Sequence, residues 1–332
     1  MDHKIEMPKI LQDFLVYHET IKGHSRKTVD EYYLDLRTFF RYLKHSRGLV
    51  PHDTPFDEIS IMDVDLDLIA SVSLTEVYGF LSYLSRDRAK NQRSAESAKG
   101  LSPTSRARKI ACIRSFYKYL TVKAKLIDVN PVQDLDSPKV PKSLPKYLSL
   151  EESRRLLLAV DGNYKERDFC IICIFLNCGL RISEIVGLNL SDIRSDHLRV
   201  IGKGNKERVV YLNDATAQAI NNYLMIRKHI ISRDKNALFL SNRRSRISRE
   251  AVHSMVKRTL LKAGLDASEY SSHKLRHTAA TLMLQNGVDV RTLQELLGHD
   301  HLNTTQIYTH VDNSELRIAA QANPLGNFDP NK

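Results

Sequence analysis

The sequence has no apolar run approaching the roughly 20 residues that a membrane-spanning helix needs. Its opening, MDHKIEMPKI, has no hydrophobic stretch of the kind that marks a signal peptide. A membrane anchor or a secreted product is therefore not expected. Cysteine is scarce, at four in 332 residues. Cys170, Cys173 and Cys178 lie in FCIICIFLNCGL, and Cys112 stands apart. The Cys-x-x-Cys spacing invites a redox or zinc reading, but no second pair completes a site. The neighbours Ile171, Ile172, Ile174 and Phe175 instead make these thiols small buried hydrophobes. Reduced thiols fit a cytoplasmic protein. No internal repeat is present. Acidic residues are short: 39 against 50 Lys and Arg, a net charge of +11. Split at residue 150, both halves carry the excess, 24 basic to 19 acidic and then 26 to 20. That balance points to a polyanionic partner held from both halves, with a generally basic surface as the bland alternative.

What is present starts with enough material for two domains, at about 150 residues each, and 42% hydrophobic residues to fill their cores. Residues 1–130 read as a helical domain. Its first helix runs from about Pro8 to Lys22. A second starts at Thr28, which with Glu31 forms a T-x-x-E capping box. A third is capped by Ser73 and Glu76, and a fourth by Ser102 with Pro103 at the first helical position. The fourth carries Arg106, Arg108, Lys109 and Arg114 on what reads as a positive outer face, suited to a groove or a phosphate row. Residues 86–100 read as a charged, flexible connection.

Residues 131–147 read as a Pro-rich basic linker. Pro131, Pro138, Pro141 and Pro145 alternate with Lys139, Lys142 and Lys146 and keep the chain extended. Such a tether can follow a phosphate backbone; a solvated linker fits the composition equally well. A second domain is expected over 148–325, followed by a tail at 326–332. Ser149 and Glu152 cap its first helix. A nearly all-apolar helix spans Asp168 to Cys178 and ends at Gly179. HLRVIG and ERVVYL flank GKGNK as a hairpin. Helices are expected at about 214–229, 248–263, 274–286, 290–297, 303–308 and 312–321. The fold class is mainly α with a small antiparallel β-sheet.

The chemistry-bearing residues cluster in this second half. Arg181 follows Gly179-Leu180, and Lys203 sits in the hairpin turn. His273 and Arg276 form H-x-x-R at the start of a helix, His299 follows Gly298, and Tyr308 stands in TTQIYTH. Each alone is weak, because an arginine after a helix end is usually surface decoration and a lone tyrosine is usually core. Together they supply the parts for phosphodiester transfer through a covalent intermediate. Two arginines can hold the non-bridging oxygens of the transition state. Neighbouring cations favour the phenolate of a tyrosine whose free pKa is about 10. A lysine can protonate the leaving 5′ oxygen, and a histidine can manage the tyrosine's proton. Each lost donor should cost about 3–4 kcal/mol.

R-I-S-E, G-K-G-N-K-E-R, H-K-L-R-H-T-A-A-T, L-L-G-H and T-T-Q-I-Y-T-H, in this order, resemble the tyrosine recombinase (phage integrase) family, and most of all its bacterial Xer branch. The likeness runs from about residue 8 to 325 and is densest from 179 to 310. It implies a core-binding helical domain and a catalytic domain that clamp duplex DNA. It also implies cleavage by Tyr308 to a 3′-phosphotyrosine and a free 5′-hydroxyl, without metal, nucleotide or other cofactor. By position, Arg181 and Arg276 clamp the phosphate, Lys203 is the general acid, and His273 and His299 complete the pocket. Glu184 matches the acidic residue that orients it. Lys206 and Arg208 are expected on backbone phosphates rather than in the chemistry. The resemblance implies a homotetramer, or a heterotetramer with a second recombinase, on a double-stranded site. It extends to a septal DNA translocase as partner and to a cytoplasmic, nucleoid-associated setting. The first core-binding helix begins almost at once, so an additional arm-binding domain like that of many phage integrases is not expected, which favours a simple recombinase at short paired sites. Asp312 and Glu315 can cap a tail helix bearing Leu316, Ile318 and Ala319. In the family that helix docks on a neighbouring subunit; folding back onto its own domain is the alternative.

Resolution of chromosome or plasmid dimers and integration of a mobile element share this chemistry. A type IB topoisomerase also shares it, but relaxes DNA without site dependence. A metal-dependent hydrolase using His273, His277, His299, His301 and His310 is disfavoured, since no H-E-x-x-H motif or carboxylate cluster accompanies them. A non-catalytic DNA-binding protein is disfavoured because every reacting position holds the residue type it needs.

Overall fold

The computed structural model describes residues 7–86, 100–136, 146–202, 206–298 and 318–329. The chain divides into two compact units, Met1–Ser143 and Leu144–Lys332.

The first unit is helical. Helix α1 (Lys9–Val16) continues as a wider turn over Tyr17–Ile21, and α2 spans Arg26–Ser46. A short α3 (Leu66–Ala70) precedes α4 (Leu74–Arg86) and α5 (Pro103–Lys118). Ser73 and Glu76 form their reciprocal cap, and Ser102 caps α5 with Pro103 in the first turn. The start of α2 and one short helix differ from the sequence reading. Ser25, rather than Thr28, caps α2, because the carboxylate of Glu31 is drawn to Arg108 at 3.0 Å and no box closes at Thr28. Helix α3, capped by Asp65, is additional. The helices bury Phe14, Leu36, Phe39, Phe40, Phe80, Ile113 and Phe116 in one core. Val132 and Leu135 join that core, so residues 131–136 belong to the first unit rather than to an extended linker.

The positive outer face expected of α5 is only partly there. Lys109 lies one and two turns before Ile113 and Phe116, hence on the buried stripe. Its ammonium meets the buried carboxylate of Asp35 at 2.6 Å, and Arg108 reaches the same carboxylate at 2.7 Å. These two cations neutralise a buried acid that would otherwise be costly to desolvate. Arg106 is half-buried, and Arg114 alone of the four is both exposed and outside that pairing.

In the second unit the full Ser149–Glu152 capping box starts α6 (Leu150–Leu158). Helix α7 (Lys165–Cys173) and its wider continuation Ile174–Cys178 run through the core. Ile171, Ile172, Ile174, Phe175 and Leu176 are buried on every side of it. Cys170, Cys173 and Cys178 are buried there, and burial raises all three thiols, Cys178 to about 12. Gly179 ends the segment at φ +59°. Then come α8 (Ile182–Gly187), a hairpin of β1 (His197–Ile201) with β2 (Glu207–Tyr211), and α9 (Asp214–Arg227). Helices α10 (Arg249–Lys262), α11 (Ser272–Gln285) and α12 (Val290–Leu297) follow. The hairpin is antiparallel and pairs Leu198 with Val210 and Val200 with Arg208. Leu198, Val200 and Val210 face the core, so Arg208, two residues from Val210, faces it too.

The chain's last described segment folds onto this same unit. Residues 318–321 are helical, with Ala319 and Ala320 buried. Ala319 packs beside Met283, Leu293, Leu296 and Leu297. Asn213 donates to the Ala320 carbonyl at 3.3 Å, Asn323 donates to that of Leu176 at 2.9 Å, and Leu325 enters the main core. Here, then, Ala319 is covered by its own chain, while Ile318 stays 68% exposed; Leu316 lies outside the described residues.

Candidate active site

Glu184 is the hub of the site. Its side chain is 2% exposed and accepts from two arginines at hydrogen-bond distance, with a third at 3.8 Å. Arg181 precedes α8, where its backbone N–H donates to Glu184 Oε2 at 2.8 Å and its Nη1 to Oε1 at 3.0 Å. Arg208, reaching in from β2, makes a two-pronged pair, Nη1 to Oε1 and Nη2 to Oε2, both 2.9 Å. Arg276, from the second turn of α11, is the third, its Nη1 3.8 Å from Oε2.

A second feature ties these cations together. The last carbonyls of α12 have no partners inside the helix and carry the negative end of its dipole. Three in succession each accept from a different arginine. Leu296 O takes Arg208 Nε at 3.3 Å, Leu297 O takes Arg276 Nη2 at 2.8 Å, and Gly298 O takes Arg181 Nη2 at 3.1 Å. Arg276 also donates to Gly179 O at 2.6 Å, joining α11 to the end of the α7 segment. Gly298 sits at φ +64°, with three Arg208 atoms 3.1 Å from where a Cβ would stand, so the close approach of that guanidinium depends on the missing side chain.

The electrostatics follow from the count of charges. Three guanidiniums surround one carboxylate, leaving an excess of positive charge. Burial works to raise Glu184, but the hydrogen bonds and charge of Arg208, then the N–H and guanidinium of Arg181, hold it below its ordinary value. Burial lowers Arg276 to about 10, helped by Arg181 and Arg208 and opposed by Glu184, so it remains a cation at neutral pH. Arg181 is the most open of the three, its side chain 37% exposed against 16% for Arg208 and 6% for Arg276. The arrangement can accept a tetrahedral dianion or a phosphodiester and stabilise added negative charge.

Of the residues singled out in the sequence, Arg181, Glu184 and Arg276 meet in this cluster. His273 lies exposed on the first turn of α11, three residues before Arg276. Lys203, His299 and Tyr308 fall outside the described residues, as do Lys139 and Lys142. Lys203 follows Gly202, whose N–H donates to Lys206 O at 2.7 Å at the turn end of the β1–β2 ladder. Lys206 itself is exposed. The correction is Arg208. The sequence reading places it on backbone phosphates, whereas the alternation along β2 turns it inward to Glu184. That alternation, Arg208 and Val210 on one face, was the available signal. Among the described residues no three His, Cys, Asp or Glu side chains converge as a metal site would need.

Residues 146–315 match the Phage integrase family. The chain belongs to that family and is a tyrosine-type site-specific DNA recombinase. Its relatives are of the Xer kind. Tyrosine recombinase XerC of Caldanaerobacter subterraneus subsp. tengcongensis is 53% identical over 97% of this chain and 88% of its own length. Tyrosine recombinase XerD of Proteus mirabilis is 34% identical over 94% and 91%. The fold is shared with the XerH recombinase in a pre-cleavage complex on its difH substrate. That structure has a TM-score of 0.61 at 23% identity and covers 93% of this chain and 84% of the other.

Proposed function

We propose that this recombinase cuts and rejoins duplex DNA through Tyr308 in the Xer manner, resolving dimers of a chromosome or plasmid. The phenolic oxygen of Tyr308 attacks the scissile phosphorus, the bond from phosphorus to O5′ breaks, and O5′ leaves as a hydroxyl with a proton from Lys203. The 3′ end stays on the tyrosine as a phosphodiester, so a 5′-hydroxyl of the partner strand reseals it without ATP. Arg181 and Arg276 hold the non-bridging oxygens, Glu184 sets their positions, and His273 and His299 donate to the phosphoryl group and handle the tyrosine's proton. The guanidiniums neutralise the charge that a metal ion neutralises in other phosphoryl-transfer sites.

One observation carries this reading: three arginines from β2, α8 and α11 meet on a single buried acid, leaving cationic charge with an open side at Arg181. Such a cluster is poorly suited to anything but an anion. The DNA substrate, assembly into a tetramer with like or second recombinase subunits, a septal translocase as activator and a nucleoid-associated setting belong to the same proposal. The XerC and XerD names of the relatives support it. The test is to trap the covalent complex in cells and sequence the attached genomic DNA. Adducts at one locus near the replication terminus, or at a plasmid resolution site, support dimer resolution. Adducts at the ends of a mobile element would replace it with integration, and absence of any Tyr308-dependent adduct would refute the cleavage chemistry.

A further inference from the structure

We propose that Arg208 is a positioning residue of the strand-cleavage site, locking Glu184 and the C-terminal end of α12 to the hairpin whose turn carries Lys203. The inference rests on the cleavage reading above and adds a role for a residue expected on the DNA backbone. All three of its guanidinium nitrogens are engaged inside the protein: two on Glu184 at 2.9 Å and one on Leu296 O at 3.3 Å. Its side chain is 16% exposed and packs over Gly298, the residue just before His299. A phosphate-binding arginine presents its donors outward; this one spends them on two other elements of its own unit, α8 and α12.

The consequence falls on Arg181. Of that residue's two guanidinium anchors, Glu184 Oε1 is bonded by Arg208 as well, and Gly298 O belongs to the residue over which Arg208 packs. Arg276 differs, since it has an independent anchor on Gly179 O. Removing Arg208 therefore loosens the more exposed phosphate ligand while leaving the buried one held. It also removes the chief partner of a buried carboxylate. The charges facing Glu184 among the described residues are Arg181 from α8, Arg276 from α11 and Arg208 from β2. With Arg208 gone, burial favours the protonated acid, so the site should lose activity as pH falls.

The test uses the full chain and a nicked duplex carrying the cleavage position mapped in cells. Adduct formation at saturating DNA, its pH profile, the salt dependence of binding and thermal stability are measured for wild type, Arg208→Ala, Arg208→Lys and Arg208→Ala with Glu184→Gln. The expected result for Arg208→Ala is a loss of about 10²-fold in rate, as for displaced ligands elsewhere. Its rate should fall further on the acid side, a limb that the added Glu184→Gln removes. Arg208→Lys restores the wild-type pH profile and part of the rate, since it returns the charge but not the fork. The slope of log affinity against log salt should be unchanged, whereas a lost phosphate contact lowers it by about one. A reduced slope, with the rate loss recovered at saturating DNA, would make Arg208 a DNA contact and overturn the proposal. So would a near wild-type rate, or a rate loss that tracks thermal stability with no change in pH profile. If wild type itself forms no adduct, the cleavage reading falls and this inference with it; an active wild type isolates the failure to Arg208.

Discussion

Arg276 donates to the carbonyl of Gly179 at 2.6 Å, and this bond joins the start of α11 to the left-handed residue that ends the buried α7 segment. The most buried arginine of the site is thus placed by a backbone atom of the core. Core packing and site geometry are one construction here.

Gly179→Ala tests that coupling. A Cβ at φ +59° would stand 2.6 Å from Leu297 Cδ2, whose own carbonyl accepts from Arg276. The left-handed backbone costs about 1–2 kcal/mol, and overpacking adds about 1–3 kcal/mol. Urea unfolding should show the loss of stability, and adduct formation should fall more than DNA affinity does. An alanine variant with wild-type stability and rate would show that the Gly179–Leu297 contact does not hold the cluster.

Arg181→Ala and Arg276→Ala should each lower adduct formation by about 10²–10³-fold, the cost of a lost transition-state donor. Most DNA affinity should survive, because many other cations share the phosphate contacts. Cleavage by wild type should be indifferent to a chelator. Gel-resolved adduct yield and filter-binding affinity measure the two effects separately, and near wild-type cleavage by either variant would remove it from the clamp.

The first unit has an acid-sensitive point of its own. His18 is buried against Phe14 and Tyr32, 3.2 Å from both His24 and Ser115 Oγ. Burial, then the charges of His24 and Lys22, lowers it from 6.5 to about 4. The unfolded chain therefore binds the extra proton first. The neutral ring's contribution is complete above pH 6.5 and is lost as pH falls toward about 4, at most about 3 kcal/mol. Hydrogen exchange of α1 and α5 amides, corrected for intrinsic rates, should show protection dropping across that window. His18→Gln should flatten the drop, and an equal drop in the variant would assign it to other groups.

The caps at Ser73, Ser102 and Ser149, the buried segment ending at Gly179, and the hairpin strands were all legible, because each rests on a local rule of spacing or capping. The identities of Arg181, Glu184 and Arg276 were legible as a motif. What local rules did not give was direction. Lys109 belongs to the buried stripe because a buried acid 74 positions away, Asp35, needs a counter-charge. Arg208 turns inward because its strand alternates with Val210, and its partner arrives from α8. The burial of Ala319 depends on α12 and α11 forming a surface for it. Each of these is a tertiary pairing of a charged or small residue, which sequence periodicity reads as exposed or ambiguous.

The central claim is that a phenol oxygen of this chain becomes bonded to DNA phosphorus beside the arginine cluster. The most direct measurement is mass spectrometry of the protein after reaction with a nicked duplex and nuclease digestion. The account predicts a nucleotide attached through its 3′ phosphate to Tyr308, a free 5′-hydroxyl on the released strand, and normal DNA binding without adduct in Tyr308→Phe. An adduct on another residue, or one that persists in Tyr308→Phe, would contradict it.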